Sequence, residues 1–351
     1  MFLLLALQLL MGPADQANSF DTLRYEGRNA LLQSRYADAE RLLKAAIHEA
    51  ERAQVDQSLR SIVLNDLAET YRLTERYGEA ETLFEESASI LRQQPGSGRA
   101  LVMVLSNHGA LYRDWQKYSK SIECYEEALN VARKFLPAND ALLGTILQGF
   151  AAFSAWKGDL RNAQKHLERS LRIREASYGS ESLEVAIILN SLGTVQMKRK
   201  QYSPAEVSLR HSLRLIEKLY GPNHSEVATV LNNLGVVLHA KKEYPEAEQV
   251  LRRALNIFRT NLPADNTRIA DALFNLAQLF IELDRFGESE PLLKDAAAIR
   301  GSHGHGAADT GALVYERYAF ALRRNGRTVE ADAADARAKA IRSELKHTFR
   351  P

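Results

Sequence analysis

Apolar residues recur along the chain at intervals of three and four. Val227, Leu231, Leu234 and Leu238 mark one face of a segment, and Ala205, Leu209, Leu213 and Ile216 mark one face of another. That period is helical, since a half-buried strand would alternate at every second residue. Between such segments stand turn clusters, Tyr220-Gly221-Pro222-Asn223 and Leu262-Pro263-Ala264-Asp265, where Gly and Pro end one helix before the next begins. The pattern predicts an all-α chain.

The helical segments also copy one another. QYSPAEVSLRHSLRL from residue 201 and EYPEAEQVLRRALNI from residue 243 share an anchor residue followed three positions later by a small one. The anchor recurs at Tyr36, Tyr77, Tyr118, Leu160, Tyr202, Tyr244, Phe286 and Thr328, with spacings of 41, 41 and then 42 five times. Three residues after each anchor stands Ala39, Ala80, Ser121, Ala163, Ala205, Ala247, Ser289 or Ala331. Nine residues before it stands Gly27, Ala68, Gly109, Ala151, Gly193, Gly235, Ala277 or Ala319. Small side chains on both segments let two helix backbones approach, so each unit is a helix pair. One pair cannot bury both its faces, so the units must stack. This predicts an α-solenoid of about eight antiparallel pairs over residues 20–345, after an apolar N-terminal segment (1–19) and before a short tail (346–351). In the last unit Asp335 and Lys339 replace mostly apolar residues, which predicts a closing cap.

With these columns in register, the chain resembles the tetratricopeptide repeat superfamily, in its long-unit, kinesin-light-chain-like subtype shared with many bacterial proteins. The residues that carry the likeness run from Tyr220 to Phe258, YGPNHSEVATVLNNLGVVLHAKKEYPEAEQVLRRALNIF, with a G-P-x-H turn, an LNNLG core and a YPEAE anchor. The first unit departs at Glu26 and the last at Tyr318 and Asp335. The resemblance implies a right-handed superhelix whose first helices line a concave groove for extended or helical peptides. It implies no catalysis and no cofactor, and it names no partner.

Helical geometry places the groove. At about 100° per residue, positions six before, two before, one after and five after the glycine/alanine column share an exposed stripe. The two-before column reads Asp66, Asn107, Gly149, Ser191, Asn233, Asn275 and Arg317. An amide both donates and accepts, which suits the bare backbone of a peptide. The family likeness carries that role to Asn107, Asn233 and Asn275. The other columns add Met103, Ile187, Val236, Trp156 and Phe320, apolar groups facing away from their own pair. The plainer reading has the amides solvating a helix face, and Trp156 and Phe320 packing on the adjoining unit. Arg72, Arg113, Lys198, Arg323 and Arg324, against Asp114 and Glu282, predict a mildly basic groove that prefers acidic peptides.

Composition changes this picture little. Forty-six Lys and Arg against forty-four Asp and Glu leave a net charge of +2, too small a basic footprint for a nucleic-acid binder. The single cysteine, Cys124, occupies a column held elsewhere by Leu42, Leu83 and Leu292, and reads as core. Residues 1–11, MFLLLALQLLM, are too few to span a bilayer as a helix. They suit a secretory signal processed near Ala14 or Ala17, hence export; no basic residue precedes them, and the alternative is a cytoplasmic protein. No phosphate loop, zinc-protease helix or nucleophile elbow occurs. Glu85/Glu86 and Glu126/Glu127 read as solvated faces. His303 and His305, with Asp309 following, form a weak metal-ligand pattern lacking further ligands, and His224 reads as a helix cap. The expected function is therefore a non-catalytic scaffold that holds a peptide segment of a partner. The competing readings are an assembly subunit and a regulatory module docking through outer faces or ends, with the oligomeric state open.

Overall fold

The computed structural model describes residues 13–302 and 308–348. The apolar run of residues 1–12, the pair His303 and His305, and the end of the tail lie outside the described residues. Sixteen helices follow one another, and no strand occurs among the described residues. They are α1 (Pro13–Leu32), α2 (Tyr36–Arg52), α3 (Gln57–Leu73), α4 (Tyr77–Arg92), α5 (Gly98–Asp114), α6 (Tyr118–Phe135), α7 (Ala141–Trp156) and α8 (Leu160–Tyr178). They continue with α9 (Leu183–Lys198), α10 (Tyr202–Tyr220), α11 (Ser225–Ala240), α12 (Tyr244–Asn261), α13 (Thr267–Glu282), α14 (Phe286–Ser302), α15 (Ala308–Arg324) and α16 (Thr328–Thr348). The chain falls into two compact units, Met1–Ser177 and Tyr178–Pro351. Each holds four helix pairs of the expected solenoid type. No described helix is long and apolar enough to cross a membrane.

Every anchor is the first residue of a second helix, because the same turn precedes each one. The residue before the anchor donates its N–H to the carbonyl five positions back, as Glu243 does to Leu238 at 2.9 Å and Arg285 to Phe280 at 2.8 Å. The residue before that donates to the carbonyl three back, as Lys242 does to His239 at 2.9 Å. Together these bonds satisfy the orphan carbonyls of the first helix in a Schellman arrangement. It requires a left-handed residue, found at Ser34, Glu75, Gln116, Gly158, Lys200, Lys242, Asp284 and Gly326. Only two of the eight are glycine, so composition does not flag this turn in the sequence.

The two small-residue columns do what their size predicts. Ala39, Ala80, Ala163, Ala205, Ala247 and Ala331 are fully buried. A Cβ added at Gly235 would stand 2.5 Å from Leu251 Cγ, so that backbone lies directly on the second helix of its own pair. The column seven after the anchor fills the seam with Leu43, Phe84, Tyr125, Leu167, Leu209, Leu251 and Leu293, all at most 2% exposed. The last pair departs as the sequence indicated: Asp335 takes that position and accepts from Arg323 at 2.5 Å, and Lys339 is exposed.

Candidate protein-binding face

Within each compact unit the first helices present the predicted stripe, and the asparagines on it are tied to one another. Asn107 donates its Nδ2 to Asn65 Oδ1 at 3.0 Å, Asn233 to Asn190 Oδ1 at 2.9 Å, and Asn275 to Asn232 Oδ1 at 3.0 Å. Each bond joins one first helix to the preceding one, so the acceptors form a second column three before the glycine/alanine positions. Sequence reasoning missed this acceptor column, although the doubled Asn232-Asn233 signals it. An amide has two donor hydrogens and two acceptor lone pairs. The inter-repeat bond takes one hydrogen and fixes the amide plane, which leaves an N–H and the oxygen of Asn107, Asn233 and Asn275 for other partners.

The rest of the two-before column differs from a uniform binding row. Asp66 is 6% exposed; among the described residues it accepts only from Asn65, at 3.2 Å, its second oxygen has no hydrogen bond, and Arg28 stands 3.9 Å away. Burial pushes its carboxyl above the usual carboxylate range. Gly149 is buried because the Tyr125 ring fills the space where a side chain would stand, 2.3 Å from an added Cβ. Ser191 bonds back to the Ile187 carbonyl at 3.1 Å. Arg317 and Lys198 are exposed. The helical wheel puts all seven residues on one face; neighbouring repeats decide which of them reach the surface.

Among the apolar positions Ile187 is exposed, and Met103 and Val236 are half-buried. Trp156 stacks on the preceding anchor, Tyr118, with centroids 4.8 Å apart, yet stays 54% exposed. Phe320 meets the anchor Phe286 edge-on at 5.9 Å and is also partly open. Both therefore pack on the adjoining repeat and keep an outward edge. Most of the predicted basic end charges are neutralised. Arg72 pairs with Asp114 and with Glu69, Arg113 pairs with Asp114 at 2.9 Å, and Arg323 holds Asp332 and Asp335.

The remaining candidates find structural roles. His224 caps α11 by accepting the Glu226 N–H at 3.2 Å and stacks on Tyr220 at 4.5 Å. Cys124 is half-buried, and burial raises its thiol to about 12, far from a reactive thiolate. Glu86 and Glu127 pair with Arg60 and Arg92. No group of three or more His, Cys, Asp or Glu that could hold a metal ion occurs among the described residues.

Repeated helix pairs of this length, each closed by the same left-handed turn, define a helical-repeat protein. The tetratricopeptide repeat profile matches residues 59–134, 142–218, 205–260 and 227–302, more than half of the chain, and the chain belongs to that family. A search among curated proteins finds no match. Among solved structures, BtubC (BKLC) from P. vanneervenii is 25% identical, with a TM-score of 0.53 over 66% of this chain and 94% of that one. It is a kinesin-light-chain-like neighbour, in keeping with the long repeat. The apo form of RapI is 14% identical, with a TM-score of 0.61 over 80% of this chain and 97% of its own. The signal transduction ATPase PH0952 from Pyrococcus horikoshii, which has a tetratricopeptide repeat sensor, is 16% identical. Its TM-score is 0.66, over 96% of this chain and 51% of its own. These last two show the fold alone. Tetratricopeptide repeats in general are non-catalytic mediators of protein–protein interaction.

Proposed function

We propose that the first-helix face of this protein binds a peptide segment of a partner protein, chiefly through Asn233 and Asn275 with Val236 and Ile187 beside them. The observation that carries this reading is the set of inter-repeat amide bonds. Asn233 and Asn275 are held in fixed orientation by Asn190 and Asn232, each with an oxygen and an N–H to spare. Groups fixed before binding lose little freedom on binding, and an amide pair matches the donor and acceptor of a peptide unit. Asn107, pinned by Asn65, repeats the arrangement in the first unit.

A displayed library of unstructured peptides tests the reading. Wild-type protein should enrich a family of sequences, and Asn233→Ala with Asn275→Ala should lose that enrichment while keeping its helical circular dichroism. Equal enrichment by the double variant would refute it. Light scattering during size exclusion addresses the assembly reading: an oligomer that persists on dilution, with no peptide enriched, would favour a subunit role.

A further inference from the structure

At four junctions between successive repeats, the second helices bring together the residue fifteen after one anchor and the residue nine after the next, and the charges there are compensated. Arg92 meets Glu127 at 2.9 Å, Glu217 meets Arg253 at 2.7 Å, and Arg259 meets Asp295 at 3.4 Å. Glu51 and Glu86, alike in charge, share Arg60 at 3.4 and 2.6 Å. At the junction of the third and fourth repeats the same two positions hold Arg133 and Arg169.

Both arginines line the same cavity of about 570 Å³, which lies between α6, α7 and α8. Its floor is Leu129, Ala132, Leu136, Leu143, Leu147 and Phe150, and its polar lining is Arg133, Arg169 and His166, with no acid. The matching cavity at the sixth-to-seventh junction, about 450 Å³ over Leu262, Ile269 and Leu273, has the Arg259–Asp295 pair on its wall. The carboxylate that compensates an arginine there has no counterpart among the described residues that line the cavity here. Both arginines are exposed beside an apolar floor, and a carboxylate held between two guanidinium groups accepts charge-assisted bonds from both. The volume lies in the range of small-molecule sites, which are mostly apolar with a few convergent polar groups.

We propose that the junction of the third and fourth repeats binds a small amphiphilic carboxylate. Its acid group lies between Arg133 and Arg169, and its apolar body lies on Leu143, Leu147 and Phe150. The site is on the second-helix side and is independent of the amide row on the first helices. His166, stacked on Phe150 with centroids 5.7 Å apart, closes one side. Specificity follows from the lining: an apolar chain with a cationic head would meet only positive charge, and an anion without an apolar body would leave the floor wet.

Isothermal calorimetry of the full chain with decanoate tests the proposal. Saturable binding of one decanoate per chain is expected, and decyltrimethylammonium, of similar apolar length and opposite charge, should give no saturable heat. Arg169→Asp recreates the pairing seen at the other junctions and should weaken decanoate binding by about tenfold or more. Arg169→Gln, a gentler change, should weaken it less, and Asn233→Ala with Asn275→Ala should leave it unchanged. Circular dichroism checks that each variant is folded. No saturable decanoate binding up to about 1 mM would overturn the proposal, as would equal binding by folded Arg169→Asp and Arg169→Gln or equal binding of the cation. If decanoate fails while an acidic peptide binds in an Arg169-dependent way, the site is a protein-docking surface and the small-molecule assignment falls.

Discussion

Between the sixth and seventh repeats, Asn275 donates to Asn232, Arg285 holds Glu248 at 2.6 Å, and Arg259 holds Asp295. Between the third and fourth, the equivalent positions are Gly149 and Ser106, Asp159 and Ile122, and Arg133 and Arg169. Three polar contacts made at the sixth-to-seventh junction are thus absent at the third-to-fourth. Aromatic packing replaces them: Tyr125 fills the space over Gly149 and meets the Phe150 ring at 6.4 Å, and Trp156 lies on Tyr118. Polar contacts fix register because they work in one geometry, whereas stacked rings hold two helices together and leave the surrounding polar groups uncommitted. A junction that does not compensate its own charges has them available for a ligand.

The strongest way to break this comparison is Gly149→Asn, which copies the asparagine of the sixth and seventh repeats into the fourth. The new side chain would meet the Tyr125 ring, and urea unfolding should show a loss of about 3 kcal/mol. Tyr125→Leu in the same chain should recover part of it. Full stability in the single variant would mean that the aromatic filling is not what excludes the amide.

Next in size is an acid effect carried by His108 of the first unit. His108 stands where Leu192, Leu234 and Leu276 stand in the second unit, stacked between Phe84 at 5.5 Å and Tyr112 at 4.6 Å. Burial lowers its imidazole from 6.5 to about 4. The unfolded chain therefore binds this proton at higher pH than the folded one. The histidine's contribution is intact above pH 6.5 and is lost as pH falls toward 4, by up to about 3 kcal/mol. Urea midpoints at several pH values should fall less steeply for His108→Leu than for wild type across that window.

Smaller again is Asn275→Ala, which strands the Asn232 oxygen and should cost about 1 kcal/mol. A double-mutant cycle with Asn232→Ala isolates the coupling. Zero coupling would demote the amide row to surface decoration and weaken the peptide-binding reading with it. The smallest effect belongs to Asp295→Arg, which gives the sixth-to-seventh junction the charges of the third-to-fourth. Its partner is exposed and screened, so the change should cost less than about 1 kcal/mol by thermal melting. The same variant should acquire decanoate binding at the second junction, which sharpens the comparison from the opposite side.

Much of this architecture was legible beforehand because it depends on short-range and size rules. Eight anchors, two columns of small residues and a helical apolar period specify paired helices in any stacking arrangement. The anchors proved to be the first residues of the second helices, and the glycine/alanine column proved to lie against them. The candidate face was only partly legible. A helical wheel shows which residues share a side of one helix, but it is blind to what the next helix places opposite. Asp66 and Gly149 therefore sat in the same predicted row as Asn233, although neighbouring side chains bury the first two. The left-handed turn residues were also hidden, since Glu75, Gln116 and Lys242 have no compositional signature of that conformation.

By itself, then, the sequence determined the helix-pair repeat, its register and the family to which it belongs, because hydrophobic period and side-chain volume act within one unit and recur in every copy. Only the tertiary structure decided how the copies differ where they meet. It paired Asn107 with Asn65 and Asn233 with Asn190, buried Asp66, and put Arg133 and Arg169 beside one apolar cavity. Those outcomes depend on contacts between residues about forty positions apart, and charge and hydrogen bonding at such distances in sequence take effect only once the helices have packed.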